Sequence, residues 1–273
     1  MSDIVLTAGV RANLLQLQNT AQTITETQTK LATGKRVNSA LDNPINYFTA
    51  QGLSNRASDL GNLLDSMSTG INTIQAANNG ITSITKLVQS AQALVTQAQQ
   101  TSDTTVRTGL AAQFDSLLTQ IDQLAGDSGF NGINLLDSSH STNLTVTLNE
   151  TGSSSVTINA VDETSAGLSL NNSQNNWGGT SDIAAASTQL TAALSTLRSQ
   201  SQAFGSQLST VQIRQDFTKA MINTLQTGSD SLTLADSNQE GANLLALQTR
   251  QQLSTTALSL ASQASQAVLR LFQ

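Results

Sequence analysis

The stretch "TKLATGKRVNSALDNPINYFTAQGL", residues 29–53, interrupts a chain that otherwise has few helix breakers. A helical pattern reaches Leu31 and stops at Gly34, and glycine often ends a helix because it adopts a left-handed backbone without steric penalty. The residues that follow are mostly polar, and among them lies Pro44, the single proline of the 273-residue chain. We therefore expect residues 34–53 to leave the helical path and to link two helices.

Apolar residues repeat in alternating steps of four and three near both ends of the chain, which is the spacing of a coiled-coil seam. The first seam consists of Val10, Leu14, Leu17, Ala21, Ile24 and Leu31. The last seam includes Ala246, Leu253, Ala257, Leu260, Ala264 and Leu271. A lone helix with one such stripe is marginal in water because packing supplies most helix stability. The two terminal helices must therefore pack on each other or on other copies of the chain.

The same spacing predicts further helices between the two ends. One runs over about residues 54–100, and a second carries apolar residues from Leu110 to Leu124 before "GDSGFNG" stops it. A third begins near Asp182 and continues to about Leu225, where "QTGSDS" predicts a break.

The pattern changes to a period of two in "NLTVTLNETGSSSVTINAV", where apolar and polar residues alternate on both sides of a polar turn. This alternation predicts a β-hairpin. The Ser-, Asn- and Gly-rich residues 163–181 that follow, with a lone Trp177, are expected to form a loop.

The predicted fold is mainly α, with long antiparallel helices forming a terminal coiled coil and a helical bundle, and with a small β-hairpin insert. The predicted domains are a terminal coiled coil, a linker, a helical domain and a surface-exposed hairpin with its loop. They cover residues 1–33 with 235–273, 34–53, 54–140 with 182–234, and 141–181.

Composition excludes several classes of function. The net charge is -6 and the 12 Lys and Arg residues are scattered, whereas nucleic-acid binding needs a basic patch, so we expect no nucleic-acid partner. No apolar run approaches the roughly 18 residues of a membrane span, so we expect no membrane insertion. The first residues lack the basic and apolar segments of a cleaved signal peptide.

The chain offers little for catalysis. His140 is the only histidine and there is no cysteine, so neither a metal site nor another cofactor is expected. Glu150, Asp162 and Glu163 could be imagined as acid–base groups, but nothing apolar surrounds them in the sequence, and we expect solvated turn residues. The chain is not expected to be an enzyme.

Three blocks of sequence together resemble bacterial flagellins, in a short form with a minimal central region. "KLATGKRVNSALDNP" resembles the signature that follows the first flagellin helix, and "GFNGINLL" at residues 129–136 resembles the turn after the third helix. The C-terminal stretch from residue 234, which closes with "QAVLRLF", is similar to the end of the family's chains. The first block places the family's connecting segment, called the spoke, on Gly34, Arg36, Asn38, Ser39, Asp42 and Pro44.

The resemblance implies a self-assembling subunit of the flagellar filament that serves swimming motility. It implies that the terminal helices line the central channel, that the longer helices form the next tube outward, and that residues 34–53 join the two shells. It also implies export through the flagellum's own type III apparatus without a cleaved signal peptide, an extracellular location, an export chaperone, and filament cap or junction proteins as partners. The alternative is a hook–filament junction protein, which shares flagellin-like ends but does not polymerise.

The family also implies a patch that a vertebrate innate receptor contacts, which contains Arg-Glu-Leu. Aligned by its leucine, this patch falls on Gln92, Ala93 and Leu94. Gln and Ala replace the two charged residues, so we expect the chain to be a poor activator of that receptor.

Overall fold

The computed structural model confirms a mainly helical protein with a small antiparallel hairpin. The structure describes residues 8–137 and 143–271, without the side chains of residue 265 and residues 268–271. In chain order its elements are α1 (Ala8–Thr33), α2 (Pro44–Gln100), α3 (Thr104–Asp127), β1 (Leu144–Thr147), β2 (Ser155–Ile158), a short 3-10 turn (Gln174–Trp177), α4 (Thr180–Thr233) and α5 (Ser237–Leu271). Within the described ranges, no helix has the length and apolar character of a membrane span.

The contacts divide the chain into two compact units. The first unit takes the residues up to Asn55 and those from Thr224 onward, and the second takes Arg56–Asn223. The first unit thus combines the terminal helices, the linker, the start of α2 and the end of α4. This division differs from the predicted one, which kept residues 34–53 apart and assigned the end of α4 to the helical domain.

The linker is shorter than predicted because α2 begins at Pro44. Asn43 precedes this helix, and its Oδ1 atom accepts a hydrogen bond of 3.0 Å from the backbone N–H of Asn46. Proline suits the first helical position because its missing N–H would have no partner there. Gly34 ends α1 with φ of +67°, as predicted. Residues 44–53 are therefore helical, and only 34–43 form the connection.

The predicted break at "QTGSDS" is wrong, because α4 continues to Thr233. Gly228 lies inside the helix, where a Cβ atom would stand 3.3 Å from Cδ1 of Leu53. Packing of the start of α2 against this part of α4 thus outweighs the weak helix propensity of Gly and Ser. The break falls at residues 234–236, and Asp236 begins α5 by accepting the backbone N–H groups of residues 238 and 239.

The core of the second unit lies along α2, α3 and α4. The heptad prediction is confirmed on α2, where the seven-residue repeat from Leu60 to Val95 is buried at every step. Arg107 closes the corner between α2 and α3, since its Nε–H donates to the carbonyl oxygens of Ala98 and Thr101 at 3.2 and 2.7 Å. These bonds satisfy carbonyl groups that the end of α2 leaves without helical partners.

The hairpin is confirmed, with Leu144 paired to Ile158 and Val146 to Val156. It packs closely on α2, because a Cβ atom added to Gly70 would stand 2.6 Å from Cγ2 of Val146. Glycine at this position therefore allows the strand to approach the helix.

The segment after the hairpin is more deeply packed than a surface-exposed loop. Trp177 is fully buried, with its ring centroid 5.1 Å from that of Phe114 on α3. Ser173 donates from its backbone N–H and its hydroxyl to the carboxylate of Asp115 at 2.6 and 2.8 Å. The prediction described residues 141–181 as surface-exposed, whereas Leu144, Val146, Ile158 and Trp177 within the described part of this stretch are buried in the core.

Candidate assembly surfaces

In the first unit, α1 packs antiparallel on α5. The residues of the predicted α1 seam divide between two environments. Val10, Leu17, Ile24 and Leu31 are buried or half-buried, whereas Leu14 and Ala21 are exposed. Thr20 and Thr27, which are not members of the predicted seam, are buried. The inward face of α1 thus alternates aliphatic residues with threonines.

On α5 the predicted seam faces away from α1. Its described members that lie on this exposed face are Ala246, Leu253, Ala257, Leu260 and Ala264. Together with Leu245 they form what we call the outer stripe, in which Leu245, Leu253 and Leu260 are 66%, 66% and 61% exposed. The side chain of Leu271 lies outside the described residues.

A different set of α5 residues is half-buried. This inner stripe consists of Leu244, Leu247, Gln251, Ser254, Leu258 and Ala261. The inner stripe alternates steps of three and four, and the outer stripe steps by four, three and four from Leu253 to Ala264. The periodicity alone therefore does not fix which of them meets α1. Helix α5 therefore carries one stripe covered by α1 and a second apolar stripe that the chain leaves in solvent.

The predicted spoke residues come together in a closed turn. The Oδ2 atom of Asp42 accepts hydrogen bonds from the backbone N–H groups of Asn38 and Ser39, both at 2.9 Å, and from the Ser39 hydroxyl at 3.3 Å. The backbone N–H of Ser39, followed by that of Asn38, lowers the pKa of Asp42 below its usual value. The sidechain of Asp42 thus holds the turn as an anion.

The same turn is fixed to the junction between α4 and α5. Arg36 donates from its backbone N–H to the Thr233 carbonyl oxygen at 2.7 Å and from Nη2 to the Leu232 carbonyl oxygen at 3.1 Å. The carbonyl oxygen of Gly34 accepts the N–H of Ala235 at 3.0 Å. Gly34 and Arg36 therefore act through backbone geometry and hydrogen bonds, and Pro44 acts by starting α2.

Sequence reasoning missed an exposed apolar cluster beside this turn. Leu41, Ile45 and Phe48 are 96%, 78% and 63% exposed. We call these three residues the knob. Leu41 lies in the turn before α2, whereas Ile45 and Phe48 are three residues apart on one face of the helix, so only these last two could have been predicted from helical spacing.

The expected solvated acids have different environments. Glu150 pairs with Arg56, with Oε1 and Nε 2.5 Å apart. Glu163 is buried, its Oε2 atom has no hydrogen-bond partner, and burial, with the nearby Asp162 charge, raises its pKa to about 7. The expectation of a solvated residue was wrong for Glu163, because the tertiary fold buries this segment and its backbone N–H donates to the carbonyl oxygen of Leu136 at 2.9 Å. The carboxylate of Asp162 accepts hydrogen bonds from the backbone N–H and the hydroxyl of Thr164, which fixes the local turn.

Metal ligation has no support in the described part of the chain, where no three His, Asp or Glu side chains cluster suitably. His140 lies outside the described residues. The residues matched to the receptor patch lie on α2, with Gln92 and Leu94 half-buried and Ala93 exposed. Leu94 lines a groove between α2 and α3 together with Leu117.

Comparison with known proteins places the chain among filament proteins. Residues 7–141 match the family model of the bacterial flagellin N-terminal helical region. Flagellin FljK of Caulobacter vibrioides is 32% identical over 277 residues, covering 100% of this chain and 99% of that protein. A flagellin of Brucella melitensis is 25% identical over 283 residues and is covered completely, as is this chain. A crystal structure of Bacillus cereus flagellin matches with a TM-score of 0.48 and 23% identity, covering 57% of this chain and 88% of that one.

Proposed function

Because the chain belongs to the bacterial flagellin family, we infer that its terminal helices drive its assembly with other copies. The protein is a structural subunit of the flagellar filament, the polymer that serves swimming motility. We assign it no catalytic role. The assembly surface that we propose is the outer stripe of α5.

The exposed outer stripe is the observation that carries this proposal. Its three leucines, Leu245, Leu253 and Leu260, are more than half exposed although spacings of eight and seven residues place them on one side of the helix. Burying one leucine side chain contributes roughly 1.5–3 kcal/mol, so the stripe represents several kcal/mol that folding of one chain does not recover. An interface repeated along an open helix recovers this energy once per subunit.

The exposed outer stripe also bears on how the subunit reaches the filament. An exposed apolar stripe promotes premature association, so a cytosolic chaperone that covers α5 would keep the subunit monomeric before export. We propose export through the flagellum's type III apparatus, an extracellular location, and cap or junction proteins as further partners. Family membership supports this route.

Seeded polymerisation tests the proposed function. Purified chain is added to short filament fragments, and electron microscopy measures filament length against time. We expect long filaments whose length grows with the subunit supplied. A hook–filament junction protein would instead bind fragment ends and stop, so end-capped fragments of constant length would contradict the proposal. No observation made on this chain favours the junction protein.

A further inference from the structure

Residues 161–177, which we call the strap, lie against α3 and are held there by two aspartates of that helix. Asp122 accepts a hydrogen bond of 2.7 Å from the backbone N–H of Ser165. Asp115 accepts two hydrogen bonds from Ser173, one from its backbone N–H at 2.6 Å and one from its hydroxyl at 2.8 Å. The two aspartates are seven residues apart in the helix and so lie on one face of it. Two carboxylates on one face of α3 therefore attach the strap.

Three apolar side chains anchor the strap between and beyond these bonds. Leu168 and Leu170 are buried in the middle of the strap, and Trp177 is fully buried at its end against the ring of Phe114. Most of the remaining core of the second unit lies on α2, α3 and α4. A segment with few buried contacts opens at a lower free energy than the whole unit unfolds.

The closed strap leaves two polar atoms unsatisfied and holds three residues in an unfavourable backbone conformation. Among the described residues, three buried side-chain polar atoms lack a hydrogen-bond partner, and two of them, Oε2 of Glu163 and Nε1 of Trp177, belong to the strap. Asn175, Asn176 and Trp177 have φ of 47°, 48° and 57°. This left-handed conformation is unfavourable for a bulky residue such as tryptophan. Opening relieves the strain and gives both polar atoms access to water.

The charged groups that bond to the strap or flank its contacts are all acidic. They are Asp115 and Asp122 of α3, Asp182 of α4, Asp162 beside Glu163, and Asp137 beside Leu136. Residues 66–85 of α2, which include Gly80 beside the Leu136 side chain, contain no charged residue. Burial, followed by the negative charge of Asp162, raises the pKa of Glu163 to about 7. Ionisation of Glu163 thus adds a negative charge to a buried site with acidic neighbours.

We propose that the strap opens from α3 when Glu163 ionises, while the rest of the second unit stays folded. Opening brings the carboxylate into water and exposes the face of α3 that carries Phe114. It also breaks the 2.9 Å hydrogen bond from the backbone N–H of Glu163 to the carbonyl oxygen of Leu136. The switch acts in the single subunit and does not depend on filament assembly.

The direction of the switch follows from proton linkage. The closed strap keeps the proton of Glu163 up to a pKa of about 7, whereas the open strap loses it near the ordinary value of 4.5. Higher pH favours the state that binds fewer protons, so the opening constant rises as the pH increases from 4.5 to 7. Between pH 5 and pH 8 the increase is at most about 70-fold for these two pKa values.

Amide hydrogen exchange of the monomer, measured by mass spectrometry at pH 5 and pH 8, tests this opening. After correction for the intrinsic effect of pH on exchange, peptides from the strap should exchange at least about tenfold faster at pH 8. Peptides from residues 66–85 of α2 should exchange at the same corrected rate at both pH values. An increase of less than about tenfold in the strap, or an equal increase in residues 66–85, would overturn the proposal.

Glu163→Gln should make the corrected exchange of the strap equal at the two pH values, because the amide does not ionise. His140→Gln is the matched control, since the only histidine of the chain also titrates in this range. This control should keep the ratio of the parent chain. A ratio that persists in Glu163→Gln, or that disappears in His140→Gln, would overturn the role of Glu163.

Asp115→Ala covers the case in which Glu163→Gln does not fold. It removes the acceptor of both Ser173 hydrogen bonds and leaves Glu163 in place. Strap peptides of this variant should exchange faster than those of the parent chain at pH 5, where the parent strap is closed. Circular dichroism confirms the helix content of each variant. Strap exchange equal to that of the parent chain at pH 5 would show that Asp115 does not hold the strap closed and would refute the switch.

Discussion

Glu163 shows at the residue scale how a polar residue in a loop-like sequence becomes part of a core. Its backbone N–H donates to the carbonyl oxygen of Leu136 at 2.9 Å, which holds the segment against residues that precede the hairpin. The side chain follows the backbone into a buried site where Oε2 has no partner. Such a site disfavours the charged form of the carboxyl group.

Glu163→Gln should therefore change how stability depends on pH. The folded chain keeps the proton of Glu163 up to a pKa of about 7, whereas the unfolded chain loses it near 4.5. The unfolded state thus binds fewer protons over this range, and the free energy of unfolding falls as pH rises from 4.5 to 7. The loss is at most about 3 kcal/mol. Urea unfolding of the monomer at pH 5 and pH 8 measures it.

Glu163→Gln should remove that loss, because the amide does not ionise. Glu26→Gln, which changes an exposed carboxylate on α1, is the control and should keep the pH dependence of the parent chain. The same difference between pH 5 and pH 8 in Glu163→Gln and in the parent chain would show that Glu163 is not the group responsible.

Gln92 and Ala93 carry the second prediction at this scale. We propose that the chain activates the vertebrate innate receptor poorly, because a Gln side chain cannot form the planar array of donors that Arg supplies. A receptor-reporter assay with monomeric protein compares the parent chain with the double variant Gln92→Arg plus Ala93→Glu. The variant should gain activity by about tenfold or more. Strong activation by the parent chain would contradict the prediction.

Helix α5 shows at the element scale that one helix can carry two apolar stripes with different partners. Leu258, on the inner stripe, lines a groove with Val10 and Leu14 of α1. Leu253 and Leu260, on the outer stripe, remain in solvent. Substitutions on the two stripes should therefore have separable effects on folding and assembly.

Leu253→Asp should abolish filament growth while the monomer keeps its helix content, because the charge is solvated until assembly would bury it. Leu260→Asp should act in the same way. Leu258→Asp should also abolish filament growth, but it should in addition lower the helix content of the monomer, since its charge disturbs the packing of α1 on α5. Gln248→Asp, on the exposed side between the stripes, is the control. Circular dichroism and seeded polymerisation measure the two effects, and filaments of normal length from Leu253→Asp would refute the role of the outer stripe.

At the scale of the whole molecule, the large core and the proposed assembly surface lie in different units. The second unit has a core of its own along α2, α3 and α4, which is completed by the hairpin and by Trp177. The first unit contains the outer stripe, the knob and the closed turn of the linker. Removing a terminal helix should thus remove assembly and leave the core of the second unit intact.

Deletion of residues 1–33 or of residues 240–273 should give a soluble fragment that does not polymerise. Without α1, the inner stripe of α5 loses its partner, and without α5 the outer stripe is absent. Thermal unfolding should still show a cooperative transition, because the residues of the second unit are all present. Sedimentation after seeding measures polymer, and a pelleted filament from either fragment would contradict assembly through the ends.

The helices, the hairpin and the closed turn at Gly34 follow from local chemistry, because periodicity, turn residues and a glycine cap act between residues close in the chain. The sequence predicts Pro44 outside a helix, because proline inside a helix usually breaks it. Proline is also common at the first helical position, and this is the position that Pro44 occupies. The residues that build each element could therefore be predicted, whereas two of the helix boundaries, the start of α2 and the end of α4, could not.

Packing between distant segments determined the rest. Gly228 stays helical because Leu53 packs against it. Trp177 is buried with its ring against Phe114 of α3, and the backbone of Glu163 is bonded to Leu136 before the hairpin. The amino-acid pattern of α5 contains two stripes with helical spacing, and only the position of α1 makes one of them inner and the other outer. Helical periodicity specifies which residues share a face, but the partner of that face depends on contacts between residues more than 200 positions apart in the chain.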